Sequence, residues 1–435
     1  MSHQAYRAAL LHTLDDPSRV PAADAFAYHE DGLLVVEDGH VAAFGAYDQV
    51  APTLPPDTPI VTFPGRLITP GFVDAHIHYP QTDIIGAWGP QLLDWLNDYA
   101  FPAELAFADR AHADQVAGVF LDQLLRNGTT SALVFCTVHK GSVDALFEAA
   151  LARDMRLVAG KVLMDRGAPQ GLLDTVESGR ADTEALITAW RGKGRLGYAI
   201  TPRFAVTSTE AQLAMAGELL AAHPDVLLHT HMSENPDEIA RVAELFPDAR
   251  DYLDVYARHG LVTDRSVFAH CVHTADDAFG RMARAGASAA FCPSSNLLLG
   301  SGLFSLKRAC TRGVNVALAT DVGGGGSFSQ VQMMGEAYKV GQLRGETLDP
   351  LHAFYLATLA GARALKVEDR IGNLLPGKEA DFLVLDLAAT PLLARRTATA
   401  HSLADTLHML GVLGDDRLVE RTYLAGRLAH ARDGA

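Results

Sequence analysis

His76-Ile-His78 closes the run Gly71-Phe-Val-Asp-Ala-His-Ile-His-Tyr-Pro-Gln81, which reads as a β-strand opening into a loop. Side chains alternate faces along a strand, so His76 and His78 point the same way and can share one metal ion. Alone, a His-x-His pair is as readily a surface or core accident. Its downstream partners change that reading: His231-Met-Ser-Glu234, Ala269-His270-Cys271 and Thr320-Asp321-Val-Gly323 each follow another apolar, strand-like run. The constellation points to metal-dependent hydrolysis.

The donor types set the chemistry. Imidazole and carboxylate ligands suit zinc, with ferrous iron as the alternative. His76, His78, His231 and Asp321 are the ligand candidates, and they leave a position for water. A metal held there lowers the pKa of its water toward neutrality, making hydroxide available at pH 7. Asp321, close to both metal and water, can accept the water's proton; the competing role is a helix cap after a strand. Glu234 lies just past the strand bearing His231, where it can face a substrate and shuttle protons. Ser233-Glu-Asn-Pro-Asp-Glu238 also reads as a helix start, which would make Glu234 a capping or surface carboxylate.

Other histidines compete for attention. His229 shares a strand face with His231, which is preferred as ligand because it alone is followed three residues on by a glutamate. His270, at another strand end, can hydrogen-bond the hydroxide or the reacting atom without a metal bond. His139, His259 and His273 read as ordinary loop or surface residues. Gly323-Gly-Gly-Gly-Ser327 lacks the Gly-Lys-Ser/Thr ending of a phosphate loop. Close backbone approach beside Asp321 explains those glycines better.

The elements that must carry these residues follow one rhythm, a short β-rich run and then a helical stretch. The predicted strands are 72–78, 130–136, 157–164, 196–202, 226–231, 266–270, 287–292 and 314–320. Amphipathic segments such as 111–126, 143–153, 209–222 and 236–245 lie between them. Eight such strands make a closed (β/α)₈ TIM-like barrel, in which catalytic groups gather at the strands' C-terminal ends. His76, His78, His231, His270 and Asp321 all fall at such ends. The flanks alternate in shorter bursts, as in Gly32–Gly45 and Gly372–Asp386, and neither burst alone buries a core. Residues 1–67 plus 370–435 are therefore expected to build one small β-sandwich beside a catalytic barrel over 68–369.

Composition agrees with a globular enzyme. The 435 residues are 49% hydrophobic and 20% charged, and 36 Lys+Arg against 52 Asp+Glu give a formal charge of -16. So acidic a chain repels phosphate backbones, which disfavours nucleic acid and favours a small neutral or cationic substrate. No apolar run is long enough for a bilayer, and Met1-Ser-His-Gln-Ala-Tyr-Arg-Ala lacks a signal-peptide pattern, so a cytoplasmic location is expected. Cys136, Cys271, Cys292 and Cys310 form no Cys-x-x-Cys pair and read as reduced, packed side chains.

Longer motifs carry a resemblance. The stretches His78-Tyr-Pro-Gln81, Leu92-Leu-Asp-Trp-Leu…Tyr99-Ala-Phe-Pro-Ala-Glu104, Thr201-Pro-Arg-Phe204, His231-Met-Ser-Glu-Asn235 and Cys292–Gly302 resemble the guanine deaminases of the amidohydrolase superfamily over nearly the whole chain. Leu298 departs from the aromatic often found near that position in bacterial members. The resemblance implies a (β/α)₈ barrel with a small β-sandwich, one zinc ion and a homodimer. It also implies hydrolysis of guanine to xanthine and ammonia by a metal-activated hydroxide. Glu234 would protonate N3 and then the leaving amine, and Asp321 would accept the water proton. Gln81 would both donate to and accept from the purine edge, Arg203 would donate to O6 and N7, and Phe204 would offer an apolar face. His270 would also bind substrate. Competing readings keep the site for another ring, such as 8-oxoguanine or a triazine deaminase or chlorohydrolase, or make the barrel a metal-free binding protein. Gln81 with the Arg203-Phe204 pair argues against the first, and the complete ligand set argues against the second.

Overall fold

The computed structural model describes residues 3–89 and 91–434. Met1, Ser2 and Ala435, the outer ends of the expected small domain and of the stretch read for a leader, lie outside the described residues.

Parallel strands run in the order Phe72–His78, Thr129–Phe135, Arg156–Gly160, Leu196–Pro202, Leu227–Met232, Ser266–His270, Ser288–Phe291 and Asn315–Leu318. Their side chains are buried almost throughout, as expected of strands covered on both faces. The first and last strands meet through backbone bonds: Asp321 N–H donates to His76 O (3.0 Å) and His78 N–H to Val322 O (2.9 Å). The barrel thus closes at its C-terminal rim, beside the predicted ligands. Helices cover its outside. Arg110–Arg126 starts at Asp109, whose carboxylate accepts Ala111 N–H, and it turns Ala113, Val116, Ala117, Phe120, Leu121 and Leu124 inward at helical spacing.

One predicted strand is interrupted. The stretch 157–164 is expected to be continuous, but it breaks at Lys161 into Arg156–Gly160 and Val162–Leu163. A Cβ on Gly160 would lie 1.7 Å from Ala199 O, so only glycine admits this close crossing. Lys161 N–H then leaves the ladder for the Tyr198 hydroxyl (3.2 Å), and its ammonium pairs with Asp174 at 2.5 Å.

Both chain ends join one mixed sheet in the order Arg427–Ala431, Val419–Leu424, Phe382–Asp386, Ile60–Pro70, His3–Thr13, Phe26–Glu37 and His40–Ala46. The sheet curls until its edge strand His40–Ala46 meets the segment leading into Phe382–Asp386: Val41 N–H donates to Lys378 O (2.8 Å) and Ala380 N–H to Gly39 O (2.9 Å). Tyr6, Phe63, Phe382 and Tyr423 fill the sandwich so formed, with Phe382 stacked on Tyr423 at 4.3 Å. The expected boundary at 67 falls inside the strand Ile60–Pro70, and that at 369 in a turn. Helices Pro391–Thr397 and Leu403–Leu413 lie outside the sheet, and Gly411 of the latter crosses Gly335 of barrel helix Gln330–Arg344 closely.

His12 ties this sandwich to its C-terminal half. Its Nδ1 accepts Leu374 N–H at 2.9 Å while its ring stacks on Phe44 at 4.1 Å. Burial, helped by Lys378 and His29, pushes its pKa from 6.5 down to about 3. A depressed folded-state pKa means that this contribution is complete above 6.5 and is lost as the pH falls toward 3. Urea-unfolding midpoints measured across that window should fall less steeply for His12→Asn, which keeps an acceptor but does not titrate. Equal slopes for the two proteins would remove His12 from the acid response.

Candidate active site

At the C-terminal rim the predicted ligands come together. His78 Nε2 lies 3.2 Å from His76 Nε2 and 3.2 Å from His231 Nε2, while Asp321 Oδ1 lies 3.2 Å from His76 Nε2 and 3.5 Å from His78 Nε2. Four buried donor atoms so close cannot all hydrogen-bond to one another. Their spacing fits a shared cation, since ligands at ~2.0–2.1 Å in a tetrahedron stand roughly 3.3 Å apart. Burial, reinforced by the neighbouring imidazoles, holds His76, His78 and His231 well below the usual histidine pKa, so they are neutral and their lone pairs are free. The residues fit a metal ion.

The outer nitrogens are oriented from behind. His231 Nδ1 donates to Arg203 O at 2.7 Å, and His76 Nδ1 meets His229 Nε2 at 2.7 Å. His229 therefore stands one layer deeper than the converging set and braces His76 rather than competing with His231. Asp74 braces the same rim: its carboxylate accepts Thr320 N–H (3.1 Å), the Thr320 hydroxyl and His76 N–H (3.2 Å). His78 Nδ1 has no hydrogen-bond partner among the described residues.

Glu234 and His270 form an adjoining acid–base pair, chemically able to exchange protons. His270 Nε2 lies 3.4 Å from Glu234 Oε2 and 3.8 Å from Asp321 Oδ2, and its Nδ1 donates to Asn296 Oδ1 at 2.9 Å. Burial pushes the Glu234 carboxyl up to about 7, so it can hold or release a proton near neutrality. Burial opposes charge on His270, but the carboxylates of Glu234 and Asp321 outweigh it and raise its pKa. The Ser301 hydroxyl donates to Glu234 Oε1 at 3.1 Å. The helix Pro236–Leu245 does begin here, but Asn235 is its cap, and Glu238 closes the capping box with its carboxylate on the N–H groups of Glu234 and Asn235. The Glu234 side chain is left to line the pocket.

The strand ends are bent to aim these groups. Ser233, His270, Cys271 and Asp321 all have positive φ, between 50° and 71°, a conformation that non-glycine residues adopt at a cost. The glycines after Asp321 allow close approach, as expected: a Cβ on Gly325 would lie 1.9 Å from Thr320 O and one on Gly323 2.6 Å from Gln81 O.

The other half of the site is a narrow pocket lined by Gln81, Leu92, Trp95, Leu96, Arg203, Phe204 and Leu299 beside His78, His231, Glu234, His270 and Asp321. Arg203 and Phe204 follow the strand Leu196–Pro202, and Gln81 follows His78 by one short turn, Tyr79–Ile84. All the site residues expected from the sequence are thus brought together, and His139, His259 and His273 are not among the lining residues.

Sequence reasoning assigned no site role to several neighbours, although they lie in motifs it singled out. Glu104, fully buried, accepts Arg203 Nη1 on both oxygens at 2.8 Å and Gln81 Nε2 at 3.1 Å. Cys292 falls within the group formed by His76, His270 and Asp321, although burial keeps its thiol protonated. Asn296, Ser301 and Glu238 were also passed over. The signal for Glu104 was present in Phe101-Pro-Ala-Glu104, an acidic residue ending an apolar stretch.

A closed barrel whose rim holds a metal-competent cluster beside a buried acid–base pair is the arrangement of a metal-dependent hydrolase. Residues 67–429 match the amidohydrolase family. The chain is 51% identical to the guanine deaminase of Escherichia coli K12 over 97% of its own length and 95% of the relative's. A solved structure of the E. coli enzyme superposes with a TM-score of 0.96 at 49% identity, covering 99% of this chain and all of that one. The guanine deaminase of C. acetobutylicum, solved with guanine in its active site, superposes at 0.88 with 28% identity, covering 98% of this chain and 100% of that one. The chain belongs to the amidohydrolase family and, within it, to the guanine deaminases.

Metal analysis tests the cluster. About one ion per chain is expected, and His78→Ala or Asp321→Ala should lose it. His229→Ala should keep the site but weaken it by ~10–100-fold, the usual cost of losing an outer-shell partner. Equal metal loss in His229→Ala and His78→Ala, titrated against a chelator, would make His229 a ligand.

Proposed function

We propose that the protein hydrolyses guanine to xanthine and ammonia, as the relatives' names indicate for them. The observation that carries this reading is the polar pocket floor, Arg203 and Gln81, set beside the converging histidines in a chain 51% identical to a guanine deaminase. His76, His78, His231 and Asp321 would hold the metal, zinc being the ion that their donor set suits best and ferrous iron the alternative. When bound, that ion supplies a Lewis acid and lowers the pKa of water.

The chain's own residues do the rest. Arg203 turns donors toward the O6 and N7 edge, Phe204 covers a ring face, and Gln81 supplies the remaining polar edge. Asp321 takes the proton of the attacking water. Glu234, with its carboxyl poised near neutrality, delivers protons to ring N3 and then to the departing C2 amine. His270, between Glu234 and Asp321, donates toward the oxygen arriving at C2 and holds both carboxylates in place. The oxygen adds to C2 while N3 takes the Glu234 proton. The Glu234 carboxylate then recovers the hydroxyl proton and passes it to the amine. The C2–N bond breaks as the C2=O bond forms and ammonia leaves, and the proton held by Asp321 returns to Glu234. The same reading extends to a cytoplasmic homodimer. Among the described residues no helix is long and apolar enough to cross a membrane.

Guanine incubated with the purified protein should change its ultraviolet spectrum to that of xanthine, and an unchanged spectrum with full metal loading would sink the reading. Glu234→Gln should retain metal and bind guanine but lose at least ~10²-fold in kcat. A loss of only a few-fold would move the proton shuttle elsewhere. Adenine places an amino group where Arg203 expects an oxygen, and sites built on such bonds reject the mismatch by roughly 10⁴-fold. Its turnover should be negligible, and Arg203→Ala should cost more than Phe204→Leu in kcat/KM for guanine.

A further inference from the structure

Glu104 belongs neither to the converging ligand set nor to the acid–base pair, yet it is fully buried behind the pocket floor. It sits on the helix Phe101–Leu105, which continues the excursion that also supplies Leu92, Trp95 and Leu96 to the pocket wall. Its carboxylate takes Arg203 Nη1 on both oxygens at 2.8 Å, and Phe101 lies under the guanidinium with 5.4 Å between its ring centre and the Arg203 carbon. Arg203 Nε and Nη2 make no bond to protein among the described residues, and Arg203 lines the pocket. The carboxylate thus consumes one end of the fork and leaves the other for a ligand.

The same carboxylate orients Gln81. Gln81 Nε2 donates to Glu104 at 3.1 Å while its Oε1 accepts Gly323 N–H at 3.1 Å. A flipped amide would set oxygen against carboxylate and N–H against N–H, so one orientation is imposed. Glu104 also cancels the charge of Arg203, and the recognition half of the pocket is therefore neutral. An isolated buried guanidinium would attract an anion strongly in so dry a setting.

We propose that Glu104 is a positioning residue that makes the pocket selective for an un-ionised purine: it fixes the donor pattern of Arg203 and Gln81 and removes the positive charge that would favour an anionic ring. The proposal rests on guanine being the substrate. In Glu104→Gln, the new amide can accept from Arg203 or Gln81, but its own NH₂ faces a second donor, and Arg203 stands uncompensated. Xanthine is a suitable probe because it keeps the O6 and N7 edge and loses a ring proton near neutral pH.

The test compares wild type, Glu104→Gln and Glu104→Asp in guanine kinetics, in metal content, and in xanthine binding by calorimetry below and above neutral pH. For Glu104→Gln, KM should rise at least ~10-fold with kcat within ~3-fold and metal unchanged, the pattern of lost ground-state positioning. Raising the pH should strengthen its xanthine binding relative to wild type by ~10-fold or more, as expected for an unpaired buried cation meeting an anion. Glu104→Asp, which keeps the charge, should return the pH dependence to that of wild type. An unchanged KM, or a xanthine pH dependence identical in wild type and Glu104→Gln, overturns the proposal, as does loss of kcat and metal together at constant KM. If Glu104→Gln does not fold, the double variant Glu104→Gln/Arg203→Gln leaves no unpaired charge. It should then raise KM while keeping the wild-type pH dependence, and a wild-type KM there overturns the proposal. Wild-type protein inactive on guanine would defeat the substrate reading alone, since the calorimetry would still decide the role of Glu104.

Discussion

Everything at the site depends on crowding three neutral imidazoles and a carboxylate into one buried volume. Such groups repel or stay unsatisfied unless something positive sits between them, and burial sharpens the penalty. The barrel enforces the arrangement at its seam. Asp321 and His76 belong to the last and first strand ends, and the backbone bonds Asp321 N–H to His76 O and His78 N–H to Val322 O hold them together. Chain closure and donor convergence are one event. The left-handed backbone at Ser233, His270 and Asp321 is part of its cost, and that cost is borne where the chemistry is aimed.

The two halves of the pocket use charge differently. On the chemical side, proton carriers are left incompletely compensated: Glu234 is pushed toward neutrality by burial, and His270 is raised by two carboxylates despite it. Groups tuned in that way change protonation state readily. On the recognition side, Arg203 and Glu104 satisfy each other's hydrogen bonds and orient Gln81. One half holds titratable groups and the other a fixed pattern of donors and acceptors. Both hang on a few strand ends, and Arg203 joins them directly, since its carbonyl accepts His231 Nδ1 while its side chain faces the ring pocket.

Much of this was legible in the sequence because strands have a period of two and barrels place function at one end. His76, His78, His231, His270 and Asp321 could be assigned to a shared rim without knowing any distance. Three strands, 72–78, 196–202 and 266–270, have the expected ends, and the others differ by a few residues. The interruption at Lys161 was not legible, because it follows from a close crossing of Gly160 by Ala199, a contact between strands far apart in sequence. Glu104 escaped for the same kind of reason. Periodicity says which face of a helix is apolar, but not that a helical excursion between the first two strands folds back over the pocket. His229 was ambiguous because alternation sets it on the same face as His231. Only depth along the barrel axis separates a group behind His76 from one facing the same centre.

That depth has a structural counterpart at the barrel's other end. Arg156 and Arg195, at the starts of their strands, pair with Glu379, and Arg195 also reaches Asp381 at 2.8 Å, both carboxylates lying next to the small sheet. Gly71 N–H donates to Asp381 O at 3.0 Å, so the sandwich grips the chain just before the first barrel strand begins. Ion pairs this buried add little net stability, because desolvation offsets their attraction, but losing one partner strands the other. Their main effect is on register. A one-residue slip of Phe72–His78 would turn both histidines out of the barrel. The sandwich is therefore not a passive appendage: by anchoring the N-terminal end of the first strand, it fixes which residues the C-terminal end presents. The bent strand ends at Ser233, His270 and Asp321 lie at the rim, and the ion-pair anchor lies at the base. That separation lets the loops at the rim be shaped for a substrate without loosening the scaffold that aims them.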